Sequence, residues 1–374
     1  MDETLILKGG TILNGYQSIQ ADIWIKQGQI QGIIPDWKLL SKKAVSQPKP
    51  EQIIDVSGFY ILPGFISMRQ EANRLLQGTT PIEQQLRPLI EQGITSFMDV
   101  LPVDSWLGLE RILYLLSGYQ ESQLDYAIRI GLPAELFTYD HVRELGKASF
   151  QWLQVNLHSI KELDRIDWDR LYPYLSFHHV ALALSLSKEQ GLTPSIRENI
   201  VNEWTNTCRY GNIRTLVQDQ SKAKVKENDY YQLHQLNSKA IVDHLNVYKQ
   251  NWYAQYPVLA SLEDWREPIS TKDWTAEQLL HLLVRLGSAN VAKTIGIYPR
   301  KGSITPGADA DLLLVEKSEW LTKFERYTML EISEICLPTY VMSNGRWEYL
   351  FGKHVHNQRL GQHLQVLKPY NYAI

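Results

Sequence analysis

The sequence predicts an α/β protein: a (β/α)8-type (TIM) barrel with a small β domain attached. Three observations carry this. The first sixty residues read as short hairpins, residues from about 63 onward alternate strand and helix, and short strands return after residue 300. Repeated strand-then-helix units call for a parallel sheet covered on both faces. No Gly-rich phosphate turn opens any unit, which favours a barrel over a doubly wound sheet. Since β texture appears at both ends, the small domain is expected from 1–57 and 300–353, with the barrel at 58–299 and a tail at 354–374. Fewer than eight barrel strands stand out, so the barrel could be incomplete.

The elements follow in order. Leu5 to Leu7 is an apolar run closed by Gly9-Gly10, and Thr11 to Leu13 continues it. Asn14-Gly15 and Gln27-Gly28 are hairpin turns flanking Ala21 to Ile25 and leading to Ile30 to Ile34. Residues 35–51 hold Pro35, Pro48, Pro50 and several lysines and read as a loop. Ile53 to Val56 and Tyr60 to Leu62 are two more strands about Gly58.

In the barrel region, Thr80 to Gln92 is a helix stopped by Gly93, and Ile94 to Leu101 a buried strand. Trp106 to Leu116 and Asp140 to Leu145 are helical; Tyr126 to Ile130, Phe150 to Val155 and Leu175 to Val180 read as strands. Pro194 to Gly211 is a long helix, Asp229 to Leu236 a strand, Asn237 to Gln250 a helix and Tyr256 to Leu262 a strand. A helix at Trp274 to Leu286 leads to the strand Asp311 to Val315 and a hairpin about Asn344-Gly345.

Composition excludes several classes. The chain has 374 residues, 44% of them hydrophobic and 21% charged, which is the profile of a folded globular chain. Lys and Arg number 38 against 41 Asp and Glu, a net charge of −3 that gives no reason to expect nucleic acid or an anionic membrane. Cys208 and Cys336 cannot build a disulfide framework, so a reducing cytoplasm is the expected compartment. MDETLILKGG lacks the features of a signal peptide, and no apolar run is long enough for a membrane span. There is no G-x-S-x-G, H-E-x-x-H, Walker A or G-x-G-x-x-G motif. Cys208, within a helical pattern, reads as a buried thiol.

Several segments in matching order resemble the cyclic amidohydrolases, the family of dihydropyrimidinase (hydantoinase), allantoinase and dihydroorotase. They are LILKGGTILNG, IIDVSGFYILPGFISM, EQGITSFMDVLP and, most specific, NVAKTIGIYPRKGSITPGADADLLLVE. The resemblance implies a β-sandwich domain made from both chain ends beside a metal-dependent-hydrolase barrel. It also implies oligomers and hydrolysis of cyclic amide C–N bonds by two divalent metals, which make hydroxide at neutral pH and polarise the carbonyl. The implied ligands are His-x-His on strand one, a carboxylated lysine on strand four, one histidine each on strands five and six, and an aspartate on strand eight.

The residues depart from that pattern. Pro63-Gly64-Phe65-Ile66 fixes the register of strand one, so Ser67 takes an aspartate position while Arg69 and Glu71 take the two histidine positions. Arginine stays cationic and cannot ligate; Arg69 would put a positive charge where a metal sits. Gln151 takes the lysine position of strand four, and its amide cannot be carboxylated. His178, His179 and His234 could form a residual site for one metal such as zinc, or be leftover polar residues. Asp264 is the one candidate for the strand-eight aspartate. Lys147, His141, His158, His244, His281 and the His354/His356 pair read as ordinary surface or helix residues.

Three readings follow. The first is a catalytically silent homologue (a pseudoenzyme) with no cofactor, serving as a structural or regulatory partner in a homo- or hetero-oligomer that could include an active relative. The second is a remodelled amidohydrolase with one metal or none, using a pocket at Ser67, Arg69, Glu71 and Gln151. The third is a protein that binds a small ureide- or pyrimidine-like molecule.

Overall fold

The computed structural model describes residues 4–35, 52–68, 80–103, 108–186, 192–218, 232–236, 258–260, 267–272, 274–331, 338–355 and 361–365. Its centre is an eight-stranded, all-parallel sheet whose strands lie side by side in chain order. Strands one to eight are Phe65–Ser67, Ile94–Pro102, Asp125–Pro133, Trp152–Leu157, Ala181–Leu186, Thr215–Gln218, Gln232–Leu236 and Val258–Ala260. Helices Ile82–Glu91, Gly108–Tyr119, Tyr139–Lys147, Trp168–Phe177 and Pro194–Tyr210 connect the first six. Among the described residues, strands one and eight are not hydrogen-bonded to each other; the helical segment Arg285–Ala289 lies against both.

The strand assignments correct the sequence reading at two points. Leu175 to Val180 is not a strand. Leu175 belongs to the helix Trp168–Phe177, where Asp167 caps the start and Leu171 and Leu175, four apart, form the buried stripe. The aromatic residues and Pro173 of this helix mimic strand composition, but its period is helical. Strand five is Ala181–Leu186, and Thr215–Gln218 supplies a sixth strand that the sequence reading missed. The strand at Gln232–Leu236 is therefore the seventh rather than the sixth. The helix expected at Asn237 to Gln250 lies outside the described residues.

Alternation along each strand sorts its side chains. Leu153, Val155, Leu157, Leu182 and Leu184 join the large core beneath the helices. Met68, Met98, Ala127, Trp152, Ala181, Ala183 and Leu216 share a second core on the concave face with Ile295 and Ile297.

Both chain ends meet in a nine-stranded mixed sheet. Phe59–Pro63 pairs antiparallel with Leu312–Glu316 at its middle, and Thr4–Leu13 and Tyr340–Ser343 flank that pair. Apart from Met329–Glu331, which pairs with Pro268–Ser270, the described strands of both ends join this one sheet; the two facing sheets of a sandwich are not seen among the described residues. Two hairpin turns from opposite flanks of the strand order nearly touch: a Cβ on Gly28 would come within 2.7 Å of the Asn344 carbonyl oxygen.

A buried ionic knot joins the two sheets. Lys301 Nζ lies 2.7 Å from Asp125, 3.1 Å from Asp309 and 2.7 Å from Asp311, and it donates to Asn344 at 3.0 Å. Asp125 opens strand three, while Asp309 and Asp311 lie in the turn leading back to the other sheet. Burial works against the lysine's charge, but the three carboxylates outweigh it and hold its pKa above the usual range.

Part of the tail is docked. Gly361 donates to the Ser122 carbonyl at 2.9 Å, Gln362 donates to Asp125 at 2.7 Å, and Leu364 donates to the Tyr126 carbonyl at 2.7 Å. Leu364 is buried in the concave core, and His363 stacks on Tyr126. Residues 361–365 therefore close the amino-terminal end of the parallel sheet.

Burial lowers the pKa of His141, His281 and His363, against weaker opposition from Asp140 at His141 and Glu277 at His281. The folded state then prefers the neutral ring, and the unfolded chain takes up the proton first as pH falls. Stability is expected to be lost as pH drops from about 7 toward 5. Thermal melts across that window check this, and the variant carrying His281→Gln and His363→Gln should show a shallower slope.

Candidate functional site

In parallel α/β sheets, chemistry sits at the carboxyl ends of the strands, where the loops can be varied without breaking the sheet. The concave positions rising toward that end are Val100 on strand two, Arg129 and Gly131 on strand three, Gln154 and Asn156 on strand four, and Ala183 and Ser185 on strand five. They form a neutral amide and hydroxyl surface around a single cation. Gln154 Nε2 donates to Asn156 Oδ1 at 2.7 Å, while Gln154 Oε1 is buried without a donor.

Arg129 is the anomaly. It is fully buried, 0% exposed, and none of its three guanidinium nitrogens makes a hydrogen bond. Register places it beside Val100, and alternation places it on the concave face with Ala127 and Gly131. Burial pulls its pKa down to about 10, partly opposed by the Asp99 carboxylate, so it stays cationic at neutral pH. The sequence carries a signal for it: in YAIRIGL, a charge interrupts a strand that is otherwise apolar.

Among the described residues, the expected pocket residues Ser67 and Gln151 do not converge. Ser67 is buried, but its register partner is Phe97, so it faces the helix-side core rather than the concavity. Gln151 precedes strand four at its amino end. There it lines a cavity of about 20 Å³, room for one water, together with Ser149, Trp152 and His363. His178 caps the end of the helix Trp168–Phe177, its ring 4.3 Å from that of Tyr174, and His179 turns the chain with φ 53° into strand five. Both are exposed at the amino end of that strand, not at its carboxyl end. His178 and His179 thus stand before strand five, not at its carboxyl end where the resemblance implies a ligand. His234 lies on strand seven, in register with Val217 and Val258. Arg69, Glu71 and Asp264 lie outside the described residues.

The test for a binuclear metal centre is the donor set. Among the described residues, no group of three His, Cys, Asp or Glu side chains could hold a metal ion. The sequence has no histidine anywhere between His179 and His234, a stretch that spans strands five and six and the loops after them. The described residues of these strands do not fit such a centre.

Comparisons with known proteins place the fold. The structure aligns with dihydropyrimidinase from Brevibacillus agri at TM-score 0.67, covering 99% of this chain and 100% of that one at 15% identity. It aligns with D-hydantoinase from a Bacillus species at TM-score 0.68 and 16% identity, covering 97% and 99%. L-hydantoinase from Arthrobacter aurescens gives TM-score 0.64 and 14% identity, covering 98% and 100%. In sequence, 129 residues are 30% identical to an adenine deaminase of Listeria monocytogenes, matching 34% of this chain and 20% of that protein's length. No protein-family model matches. The chain has the mixed α/β fold of the hydantoinases and dihydropyrimidinases, the proteins its sequence motifs resemble.

Proposed function

We propose that this chain descends from the cyclic amidohydrolases and has lost their binuclear metal centre. On this reading it is catalytically silent and acts as a structural or regulatory partner in an oligomer. The observation that carries the reading is the histidine-free stretch between His179 and His234, where the resemblance calls for two ligands. Arg69 and Glu71 at the strand-one histidine positions add to it. Without a metal, water at neutral pH is a poor nucleophile, because the ion is what lowers its pKa from about 15.7 to about 7. A cytoplasmic location suits the cysteines: Cys208 is free and buried, and burial pushes its thiol pKa up, which makes it inert. Among the described residues no helix is long and apolar enough to cross a membrane.

Two measurements test the reading. Elemental analysis of protein purified without chelator is expected to find almost no divalent metal. Hydantoin, dihydrouracil, allantoin and dihydroorotate are expected to hydrolyse no faster than in buffer. About one metal per chain, lost in the His234→Ala variant, would overturn the reading, as would turnover at about 1 per second or faster. Sedimentation of the pure chain gives the oligomer: a larger species alone means self-assembly, and a monomer points to a different chain as partner.

A further inference from the structure

We propose that Lys293 is a site of reversible modification by carbon dioxide: its amino group takes up CO2 as a carbamate, and the guanidinium of Arg285 holds the new anion. Both residues lie on the helical run from Ala276 to Ile295. Arg285 stands where the run widens into a π turn, and Lys293 follows about two turns later. Such turns are uncommon and recur at functional sites. Arg285 is 2% exposed, and its Nε and Nη2 are buried without an acceptor. The ring of Tyr16, from the hairpin at Asn14-Gly15, lies over its guanidinium. Lys293 is half-buried, its Nζ 5.1 Å from the centre of the Tyr298 ring. The charge acting on Lys293 is that of Arg285, and the group acting on Arg285 is the Tyr298 phenol. Among the described residues no carboxylate joins the two cations.

Two like charges held together and partly out of water are unfavourable, and here no anion offsets them. Burial, and then the Arg285 charge, pull the Lys293 pKa below the usual lysine range, which raises the share of free amine. Arg285 is itself pulled down to about 10 and stays cationic at neutral pH. A free amine is what carbon dioxide requires. The nitrogen lone pair attacks the carbon of CO2, one C–O π bond closes onto its oxygen, and an N–H proton leaves to water. One N–C bond is formed, one proton is released, and no oxidation state changes. The new carboxylate offers the two oxygens that a guanidinium fork matches. A repelling pair becomes an ion pair, and the orphaned donors of Arg285 gain an acceptor. Partial exposure of Lys293 lets a neutral molecule as small as CO2 reach Nζ from the surface. Because Tyr16 belongs to the small sheet and covers Arg285, the change of charge falls at the joint between that sheet and the helical run.

The test is covalent trapping. The chain is equilibrated with bicarbonate, treated with triethyloxonium, which ethylates carbamates, and mapped by peptide mass. Lys147, an exposed lysine paired with Glu144, gives the background. At about pH 8 the trapped fraction at Lys293 is expected to exceed that at Lys147 at least about tenfold, and to fall toward it by about pH 6 as the amine takes up its proton. Arg285→Met should lower the adduct at Lys293 by about tenfold or more, the factor expected for losing one charge-assisted pair. Should that variant fail to fold, carbon NMR of the parent in labelled bicarbonate decides, with a carbamate resonance expected that Lys293→Gln lacks. No adduct at Lys293 above the Lys147 background, an undiminished adduct in folded Arg285→Met, or an unchanged resonance in Lys293→Gln would each overturn the proposal. The readout is mass and resonance, not turnover, so it stands or falls apart from the silent-protein reading.

Discussion

Replacing Lys301 with methionine is expected to cost the protein about 3–5 kcal/mol, enough to unfold a domain of ordinary stability at moderate temperature. The lysine side chain is 1% exposed and is the ammonium to which Asp125, Asp309 and Asp311 all turn. Methionine keeps the length and removes the charge. Arg300 reaches Asp309 at 2.9 Å, so that carboxylate keeps a cation. Asp125 and Asp311 would retain only neutral donors: Asn344, the backbone of Gln362, and Thr95 at 3.4 Å. Burial already pushes the Asp311 carboxyl upward, with Lys301 as the main opposing influence. Without the lysine it would be pushed further toward the protonated form. Urea unfolding should give the loss directly. Adding Asp311→Asn to Lys301→Met is expected to recover part of it, because one uncompensated charge disappears; a loss that stays the same would mean packing, not charge, holds this joint.

The knot also shows what was legible in the sequence. The segment PRKGSITPGADADLLLV could be recognised as the return to the small domain because its turn residues and its strand are local signals. That Lys301 meets Asp125, far away in the chain, is a tertiary fact that no local pattern encodes. Strands two, three and four were legible for the same local reason: long apolar runs bounded by Gly or by helix starts. Strand six was not. Thr215–Gln218 is four residues long, too short to show a period, and it follows a long helix closely. Missing it shifted the count by one and gave His234 the role of a strand-six ligand.

The candidate site was legible by subtraction rather than by presence. The PGFI register reads strand one without the two histidines that the resemblance implies, whereas His179 and His234 read as candidates for strands five and six until the strand count placed His234 on strand seven. What takes the place of the ligands is harder to read, because Arg129 is notable only through burial and missing partners. A charged residue in YAIRIGL could equally have been snorkelling toward solvent at a strand end. Its place in the middle of strand three, fully buried, removes that option.

Cutting the chain after residue 360 is expected to destabilise it by about 4 kcal/mol, even though the described residues 361–365 carry no helix and only an isolated strand bridge. The cost has two sources. Leu364 leaves the concave core, where truncating a buried leucine to alanine alone costs about 3 kcal/mol. The backbone of strand three also loses its added partner, since Tyr126 donates to the Gln362 carbonyl at 3.0 Å and accepts from Leu364. Gly361→Val should reproduce much of this in the full-length chain. A Cβ there would sit 2.1 Å from the Leu124 carbonyl oxygen and 2.8 Å from that of Ser122, both backbone atoms that cannot step aside. Urea midpoints of the truncated, Gly361→Val and Leu364→Ala chains give the ranking; equal stability of all three with the parent would show that the plug is not held.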